Sequence, residues 1–161
     1  MGLEIERKFL LKNEGWRAEC DEGVNIRQGY LNSHRARTVR VRIIGNSGVL
    51  TIKSKTQHLT RQEFEYPIPY EDALSLIALC EKPVIEKTRF KIKRDGLTWE
   101  IDQFRGENEG LVVAEVELEN ENQSLSLPSW VGRDVSGDLR YYNSSLIAYP
   151  YKNWNDENNQ V

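Results

Sequence analysis

Glu4-Ile5-Glu6-Arg7-Lys8 sets two carboxylates and an ammonium at alternate positions close to the start of the chain. Alternate side chains of a β-strand share a face, so Glu4, Glu6 and Lys8 point one way and Ile5 and Arg7 the other. The pattern recurs in Arg40 with Arg42, Glu63 with Glu65, Lys87 with Arg89, Glu100 with Asp102, and Glu115 with Glu117. Apolar residues alternate with them: Val39, Val41 and Ile43, then Leu50 and Ile52 against Thr51 and Lys53, then Phe64 and Tyr66, then Trp99 and Ile101. Each segment is a two-faced strand. A face this charged is either a solvated sheet surface or a site for a highly charged ligand with cations. Alternation alone cannot choose, because turning the sheet over preserves the period.

Outward from that start, strand signals run through most of the chain. Leu3 to Leu11, Val24 to Leu31, Thr38 to Ile44, Val49 to Lys55, Arg61 to Ile68, Val84 to Arg94, Leu97 to Phe104 and Leu111 to Leu118 all read as strands. Gly45-Asn46-Ser47-Gly48 and Asp95-Gly96 supply hairpin turns. Pro69 opens a helix from Glu71 to about Glu81, with Glu71 and Asp72 at the positive end of its dipole and Pro83 beyond its end. Leu74, Ile77, Ala78 and Glu81 fall on one face of that helix, which Leu76, Leu79 and Cys80 widen. A short helical turn is expected within Asn13 to Cys20, and a helix from about Asp138 within the mixed stretch Leu127 to Tyr149. The fold expected is mainly β (α+β). Eight antiparallel strands can close into a barrel wide enough for one small ligand. Residues 1–152 form a single domain, and 153–161, rich in Asn and Asp, a loose tail.

The composition bounds the function. A chain of 161 residues with 39% hydrophobic and 29% charged content reads as one soluble globular domain with a real core. No apolar run approaches a membrane span, and the start lacks a basic-then-apolar leader pattern, so the expected location is cytoplasmic. A net charge of −3 argues against a general nucleic-acid binder. Bases nonetheless dominate from Arg35 to Lys55, and acids from Glu107 to Glu121. Cys20 and Cys80 lack metal-ligand spacing and read as reduced thiols. His34 and His58 sit beside loops and read as solvated bystanders.

The charged pairs are segregated by sign along each strand. Like charges two apart on one face repel, and a surface built for solubility mixes its signs. Carboxylate clusters suit hard cations with oxygen ligands, Mg²⁺ or Mn²⁺. Arg and Lys clusters suit phosphate oxygens. A site with both is what phosphoryl-transfer chemistry needs. The chain has no Walker-type glycine loop, so the grip on phosphate falls to side chains.

The ordered series resembles one family. Glu4-Ile5-Glu6-Arg7-Lys8-Phe9-Leu10 is similar to the N-terminal ExExK signature of the CYTH, or triphosphate tunnel metalloenzyme, superfamily. Gln28-Gly29-Tyr30-Leu31, Arg40-Val41-Arg42, Thr51-Ile52-Lys53, Glu63-Phe64-Glu65, Lys87-Thr88-Arg89, Glu100-Ile101-Asp102 and Glu115-Val116-Glu117-Leu118 resemble its later strands in order. Asp138-Leu139-Arg140-Tyr141-Tyr142-Asn143 resembles the C-terminal segment of its small bacterial triphosphatases. The resemblance implies an eight-stranded antiparallel closed barrel, a tunnel with charged side chains inside and helices packed outside. It implies Glu4, Glu6, Glu115 and Glu117 as metal ligands, supported by Glu63, Glu65 and Asp102. Glu4, Glu6 and Lys8 would be catalytic. Lys8, Arg40, Arg42, Lys53, Lys87 and Arg89 would bind substrate, and Arg140 would close one mouth. Tyr30 would line the tunnel or pack.

The function implied is divalent-metal-dependent hydrolysis of a triphosphate, foremost inorganic tripolyphosphate to phosphate and pyrophosphate, with nucleoside triphosphates as further substrates. A two-metal site with Mg²⁺ or Mn²⁺ goes with it. The partner is a triphosphate-bearing small molecule, without nucleic acid or membrane, on a monomer or homodimer. The alternatives are a class IV adenylyl cyclase, a thiamine triphosphatase in which Trp16 or Trp99 stacks on a ring, and a non-catalytic polyphosphate-binding module.

Overall fold

The computed structural model describes residues 2–154. Its strands are β1 (Gly2–Leu11), β2 (Val24–Asn32), β3 (Arg37–Ile44), β4 (Ser47–Ser54), β5 (Thr60–Ile68), β6 (Ile85–Arg94), β7 (Leu97–Phe104), β8 (Val112–Glu117) and β9 (Val131–Asp134). Helix α1 (Tyr70–Leu79) follows β5, and the short α2 (Ser145–Ala148) lies near the end. The hairpins form where the turn chemistry allows positive φ: Gly45 between β3 and β4, and Asp95-Gly96, at φ 53° and 76°, between β6 and β7.

Every ladder is antiparallel, in the order β5-β4-β3-β2-β6-β7-β8-β1, and β1 pairs back onto β5 to close an eight-stranded barrel. The ninth strand extends the edge. The first half of β1 pairs with β5 over Gly2 to Ile5, and its end pairs with β9 at Phe9 and Leu11. The sequence reading placed a loop where β9 runs, because four residues containing Gly132, Arg133 and Asp134 carry no strand period.

The register unites the charged rows. Glu4 lies opposite Arg61, Lys8 opposite Glu115, Glu115 opposite Glu100, Arg89 opposite Asp102, Arg42 opposite Gln28, Arg40 opposite Thr51, and Lys53 opposite Glu63. Directly opposed residues share a face, so these side chains form one continuous surface, and it is the barrel interior. The alternation left two ways round; the covering of the outer face selects this one. Over β2, β3 and β4, α1 buries Val41, Ile43, Ala73, Ile77 and Cys80. Over β1, β6, β7 and β8, Phe9, Ile92, Trp99, Ile101, Ala114 and Val116 pack with Trp16 from the 3₁₀ turn Gly15–Ala18 and Trp130 from the segment before β9. Trp99 sits 5.5 Å from Trp130 edge-on and 5.7 Å from Phe9. One flank is therefore covered by a helix and the other by tryptophan-bearing segments, where helices on the outside were expected.

At one end the inward rows turn apolar. Leu10 continues Glu4-Glu6-Lys8, Phe104 continues Glu100-Asp102, and Ile85 and Val113 sit at the corresponding ends of β6 and β8. They form a core with Tyr141, Leu146, Ile147 and Trp154. The polar interior thus has an apolar floor built from strand ends and the C-terminal segment. The expected helix from Asp138 is instead a 3₁₀ turn, Leu139–Tyr141, capped by Asp138, followed by α2. Within the stretch expected to be a loose tail, Asn153 ends a 3₁₀ turn and Trp154 is buried, 5.0 Å from both Tyr141 and Tyr151; positions 155–161 lie outside the described residues. Among the described residues no helix is long and apolar enough to cross a membrane.

Helix α1 ends at Leu79, earlier than expected, because the Glu81 amide bonds the Tyr30 carbonyl and draws the chain back onto β2. Its buried positions are Ala73 and Ile77, with Cys80 buried just past its end, while Leu79 is 73% exposed. Close approach fixes this docking: a Cβ on Gly29 would stand 2.7 Å from Cys80 Cβ, and one on Gly48 2.7 Å from Ala73 Cβ. Gly29→Ala is therefore expected to destabilise the protein by about 1–3 kcal/mol through overpacking. Urea unfolding measures this, and an unchanged midpoint would mean that α1 is not held against β2.

Candidate active site

The barrel interior encloses a cavity of about 250 Å³ lined by charged and polar side chains from all eight strands and by Tyr142, Asn143 and Ser144. A water occupies roughly 30 Å³ of liquid, so the space suits several waters or one compact polyanion. The walls differ in charge. Bases line one side: Lys53 from β4, Arg40 and Arg42 from β3, and Lys87 and Arg89 from β6, while β2, which runs between β3 and β6, contributes Tyr30. Acids line the contiguous strands β7, β8, β1 and β5: Glu100, Glu115, Glu117, Glu4, Glu6, Glu63 and Glu65. Lys8 and Arg61 are the two bases set into the acidic half.

Paired charges fix the geometry. Lys53 Nζ donates to both Glu4 oxygens at 2.9 and 3.1 Å, and Arg61 Nε donates to Glu4 Oε1 at 3.0 Å. Burial works to raise the Glu4 pKa, but Lys53 and Arg61 outweigh it and hold the carboxyl below its ordinary value. Lys8 Nζ donates to the Tyr141 carbonyl at 2.9 Å and lies 3.6 Å from Glu115. Arg89 forks onto Asp102 at 2.8 and 2.9 Å and reaches Glu100 at 3.3 Å and Glu115 at 3.4 Å. Burial would raise Glu115, yet Lys8, Arg89 and Lys87 drive it well below its usual range.

Asp102 is fully buried, takes Lys87 at 2.7 Å as well as Arg89, and does not line the cavity. It is the counter-ion of two bases, a structural role in the basic wall that stands beside the metal-supporting role expected of it. Burial opposes its ionisation, but Arg89 and Lys87 bring its pKa down to about 2. Lys87 is also pushed down, to about 7, by burial, with Arg89 and Arg42 adding to that and Asp102 opposing. The two shifts disagree about how strongly the pair holds. One carboxylate shared between two cations explains both: Asp102 stays ionised and Lys87 is short of negative charge.

Arg140 is placed elsewhere than expected. It forks onto Asp138 and stacks its guanidinium over Tyr141 and Trp154, at 5.5 and 5.1 Å, away from the cavity lining. Arg61 is the converse case: the sequence reading passed over it although it stands two residues before Glu63 on the same face. That period is the signal that finds it. Tyr142, Asn143 and Gln28 were likewise not assigned roles. Trp16 and Trp99 are buried on the outer face, so neither stacks on a ligand.

Some groups lack a counter-charge, and these define what the cavity can take. Among the described residues Arg42 makes no ion pair; its Nε donates to the neutral Gln28 Oε1 at 2.8 Å. Burial, Arg40 and Arg89 push its pKa down to about 9. Arg40 Nε is buried without a hydrogen-bond partner, and its other contacts are Thr51 at 3.1 Å and Glu65 at 3.7 Å. Opposite them, Glu6 and Glu117 make no ion pair among the described residues. Burial, Glu115 and Glu4 push Glu6 well above the carboxylate range, and burial with Glu4, Glu63 and Glu100 raises Glu117. Glu63 rises through burial and Glu4, with Lys53 at 3.5 Å opposing. The basic wall is short of an anion and the acidic wall of a cation.

The acid donors are all carboxylates, the chemistry hard cations prefer. Among the described residues no three or more His, Cys, Asp or Glu side chains converge to hold a metal ion unaided. That fits Mg²⁺-like ions, which are commonly held by one or two carboxylates plus substrate phosphates.

A family model described as the CYTH domain matches residues 2–151. An inorganic triphosphatase of Acetivibrio thermocellus is 47% identical over 157 residues, covering 97% of this chain and all of that protein. An inorganic triphosphatase of Nitrosomonas europaea is 36% identical over 151 residues, covering 89% of this chain and 95% of that one. A crystal structure of an inorganic triphosphatase superposes with a TM-score of 0.64 at 35% identity, covering 89% of this chain and 93% of that one. A Pyrococcus horikoshii protein, 19% identical with a TM-score of 0.59 over 74% of this chain and 80% of its own, shares the fold.

Asp102→Asn keeps the side-chain shape but leaves Lys87 and Arg89 around a neutral amide. The expected loss is about 3–5 kcal/mol. Because the folded pKa of Asp102 lies below its ordinary value of 3.8, its contribution is complete above that pH and drains as pH falls through about 2. Unfolding measured across pH should therefore show the largest gap between wild type and variant at neutral pH, closing in acid. A gap that does not depend on pH would contradict the ionised, doubly paired Asp102.

Proposed function

We infer the function from one premise: the chain belongs to the CYTH domain family, whose model spans nearly its whole length. It is a triphosphatase, a hydrolase of phosphoanhydride bonds, acting on inorganic tripolyphosphate. The observation that supports this most is Arg42, a buried guanidinium in the cavity wall with a neutral partner, beside Arg40 with its buried, unpartnered Nε. A phosphate oxygen satisfies both, and guanidinium forks match phosphate geometry.

Arg40, Arg42, Lys53, Lys87 and Arg89 bind the chain of phosphates along the basic wall. An anion beside Lys87 also restores the charge that its surroundings discourage. Glu6, Glu117 and Glu63, the carboxyls with raised pKa values, would hold two divalent cations, Mg²⁺ or Mn²⁺, on the acidic wall. Glu4 and Glu115 flank them and Glu65 closes the rim. Bound cations neutralise phosphate oxygens and lower the pKa of water. The basic side chains orient the substrate, and the apolar floor keeps bulk water from that end. Lys8, fixed by the Tyr141 carbonyl and Glu115, directs its ammonium to the same end as Glu6.

The lining offers little to a base or thiazole ring. Its only aromatic side chains are Tyr30 and Tyr142, and it is otherwise charged or polar. This favours the inorganic substrate over ATP or thiamine triphosphate.

Phosphate release should therefore be metal-dependent, absent in EDTA, and faster on tripolyphosphate than on ATP, with no cyclic AMP formed from ATP. Cyclic AMP with pyrophosphate would indicate a cyclase; binding without turnover would indicate a polyphosphate-binding module. Arg42→Ala should raise KM for tripolyphosphate about ten- to hundredfold, as expected for a hydrogen bond to a charged group. An unchanged KM would mean that phosphate does not reach that wall. Glu6→Gln should abolish turnover while leaving the melting temperature within a few degrees of wild type, and normal turnover would remove Glu6 from the metal site.

A further inference from the structure

Asn143 lies between the 3₁₀ turn Leu139–Tyr141 and α2, half-buried and lining the cavity. Its Oδ1 accepts two hydrogen bonds, from Lys87 Nζ at 2.9 Å and from Gln28 Nε2 at 3.1 Å. Gln28 is fully buried, and its own Oε1 accepts from Arg42 Nε at 2.8 Å. An ammonium can only donate, and Gln28 has its oxygen turned to Arg42. The atom of Asn143 facing Lys87 and Gln28 must therefore be its carbonyl oxygen. This fixes the amide orientation by chemistry. The Nδ2 end, with two N–H donors, has no protein partner among the described residues and is not among the buried unsatisfied atoms, so it is an accessible donor on a residue that lines the cavity.

We propose that Asn143 is a substrate-binding residue, whose Nδ2 donates to a phosphate oxygen of the polyanion held by Arg42 and Lys87. Gln28 is the positioning residue that aligns Arg42 and the Asn143 amide together. The inference rests on the triphosphatase reading and deepens it. The barrel strands supply cations to the substrate, and the C-terminal segment supplies a neutral donor. That donor adds a directional contact at the one place where a further cation would worsen the crowding of Lys87, Arg42 and Arg89. It also ties substrate binding to the docking of the C-terminal segment, which is already anchored by the Tyr141 carbonyl on Lys8 and by Trp154 in the floor.

The test compares wild type, Asn143→Ala and Asn143→Asp. The readouts are melting temperature, the Kd of inorganic tripolyphosphate by calorimetry in EDTA, and KM and kcat with Mg²⁺. Asn143→Ala removes acceptor and donor without adding charge. Asn143→Asp keeps the acceptor for Lys87 and Gln28 but cannot donate when ionised. The expected result is a Kd and KM raised about ten- to hundredfold in both variants. The kcat should stay within about threefold, as for uniform binding lost from ground and transition states. The melting temperature should fall for Asn143→Ala and be preserved in Asn143→Asp. A folded Asn143→Ala with unchanged Kd, or an Asn143→Asp that binds as wild type does, overturns the proposal; the second result decides if Asn143→Ala does not fold. Wild type that binds tripolyphosphate without hydrolysing it would sink the triphosphatase reading while Kd still judges Asn143. Wild type that neither binds tripolyphosphate in EDTA nor hydrolyses it with Mg²⁺ would overturn both.

Discussion

The barrel stands on the mutual neutralisation of two charged walls inside one closed sheet. Removing a charge from water costs several kcal/mol even after relaxation, and a buried charge without a partner is among the most destabilising features a fold can carry. Here the cross-strand register answers that cost. Glu4 takes Lys53 and Arg61, Asp102 takes Lys87 and Arg89, and Glu115 sits among Lys8, Arg89 and Lys87. Lys53–Glu4, Lys87–Asp102 and Arg89–Asp102 join basic strands to acidic ones, while Arg61–Glu4 and Lys8–Glu115 lie within the acidic half. Stability itself comes from elsewhere: the α1 face over β2 to β4, the tryptophan cluster over β6 to β8, and the floor around Tyr141 and Trp154.

Against that compensated background the exceptions carry the chemistry. Sequences violate local rules mainly where function requires it. Arg42 faces a neutral amide, Arg40 Nε has no partner, and Glu6 and Glu117 are raised by burial and then by neighbouring carboxylates. Under the proposed function a polyanion would supply the negative charge that the basic wall lacks, and cations the positive charge that the acidic wall lacks.

Much of this was legible in the sequence, for a physical reason. Period-two rows such as Glu4-Glu6-Lys8 and Lys87-Arg89 state which side chains share a face, and eight such rows with hairpin turns imply a closable sheet. The rows could not state which face is inside; that depends on what covers the other face, and Trp16 and Trp130, which do much of the covering, lie in irregular segments. Resemblance to the family supplied the answer ahead of the packing. Where the reading and the structure differ, tertiary contacts had overridden a local signal. Asp102 keeps the period of a site residue, yet it pairs with Lys87 and Arg89 and does not line the cavity. Arg140 has a carboxylate two residues away and turns to it. Four residues of β9 are strand only because β1 offers an unpaired edge. Leu79 continues an apolar stripe that the chain abandons when Glu81 bonds back to Tyr30. Arg61, in contrast, was available: it extends the Glu63-Glu65 row by one step.

The opposition of the two walls is tested most directly by the crystal structure of the protein with tripolyphosphate and Mn²⁺, using anomalous scattering to locate the metal. The account predicts phosphates along Arg40, Arg42 and Lys87, and Mn²⁺ between those phosphates and the carboxyls of Glu6 and Glu117. Phosphate on the outer surface, or Mn²⁺ bound away from the acidic strands, would contradict it.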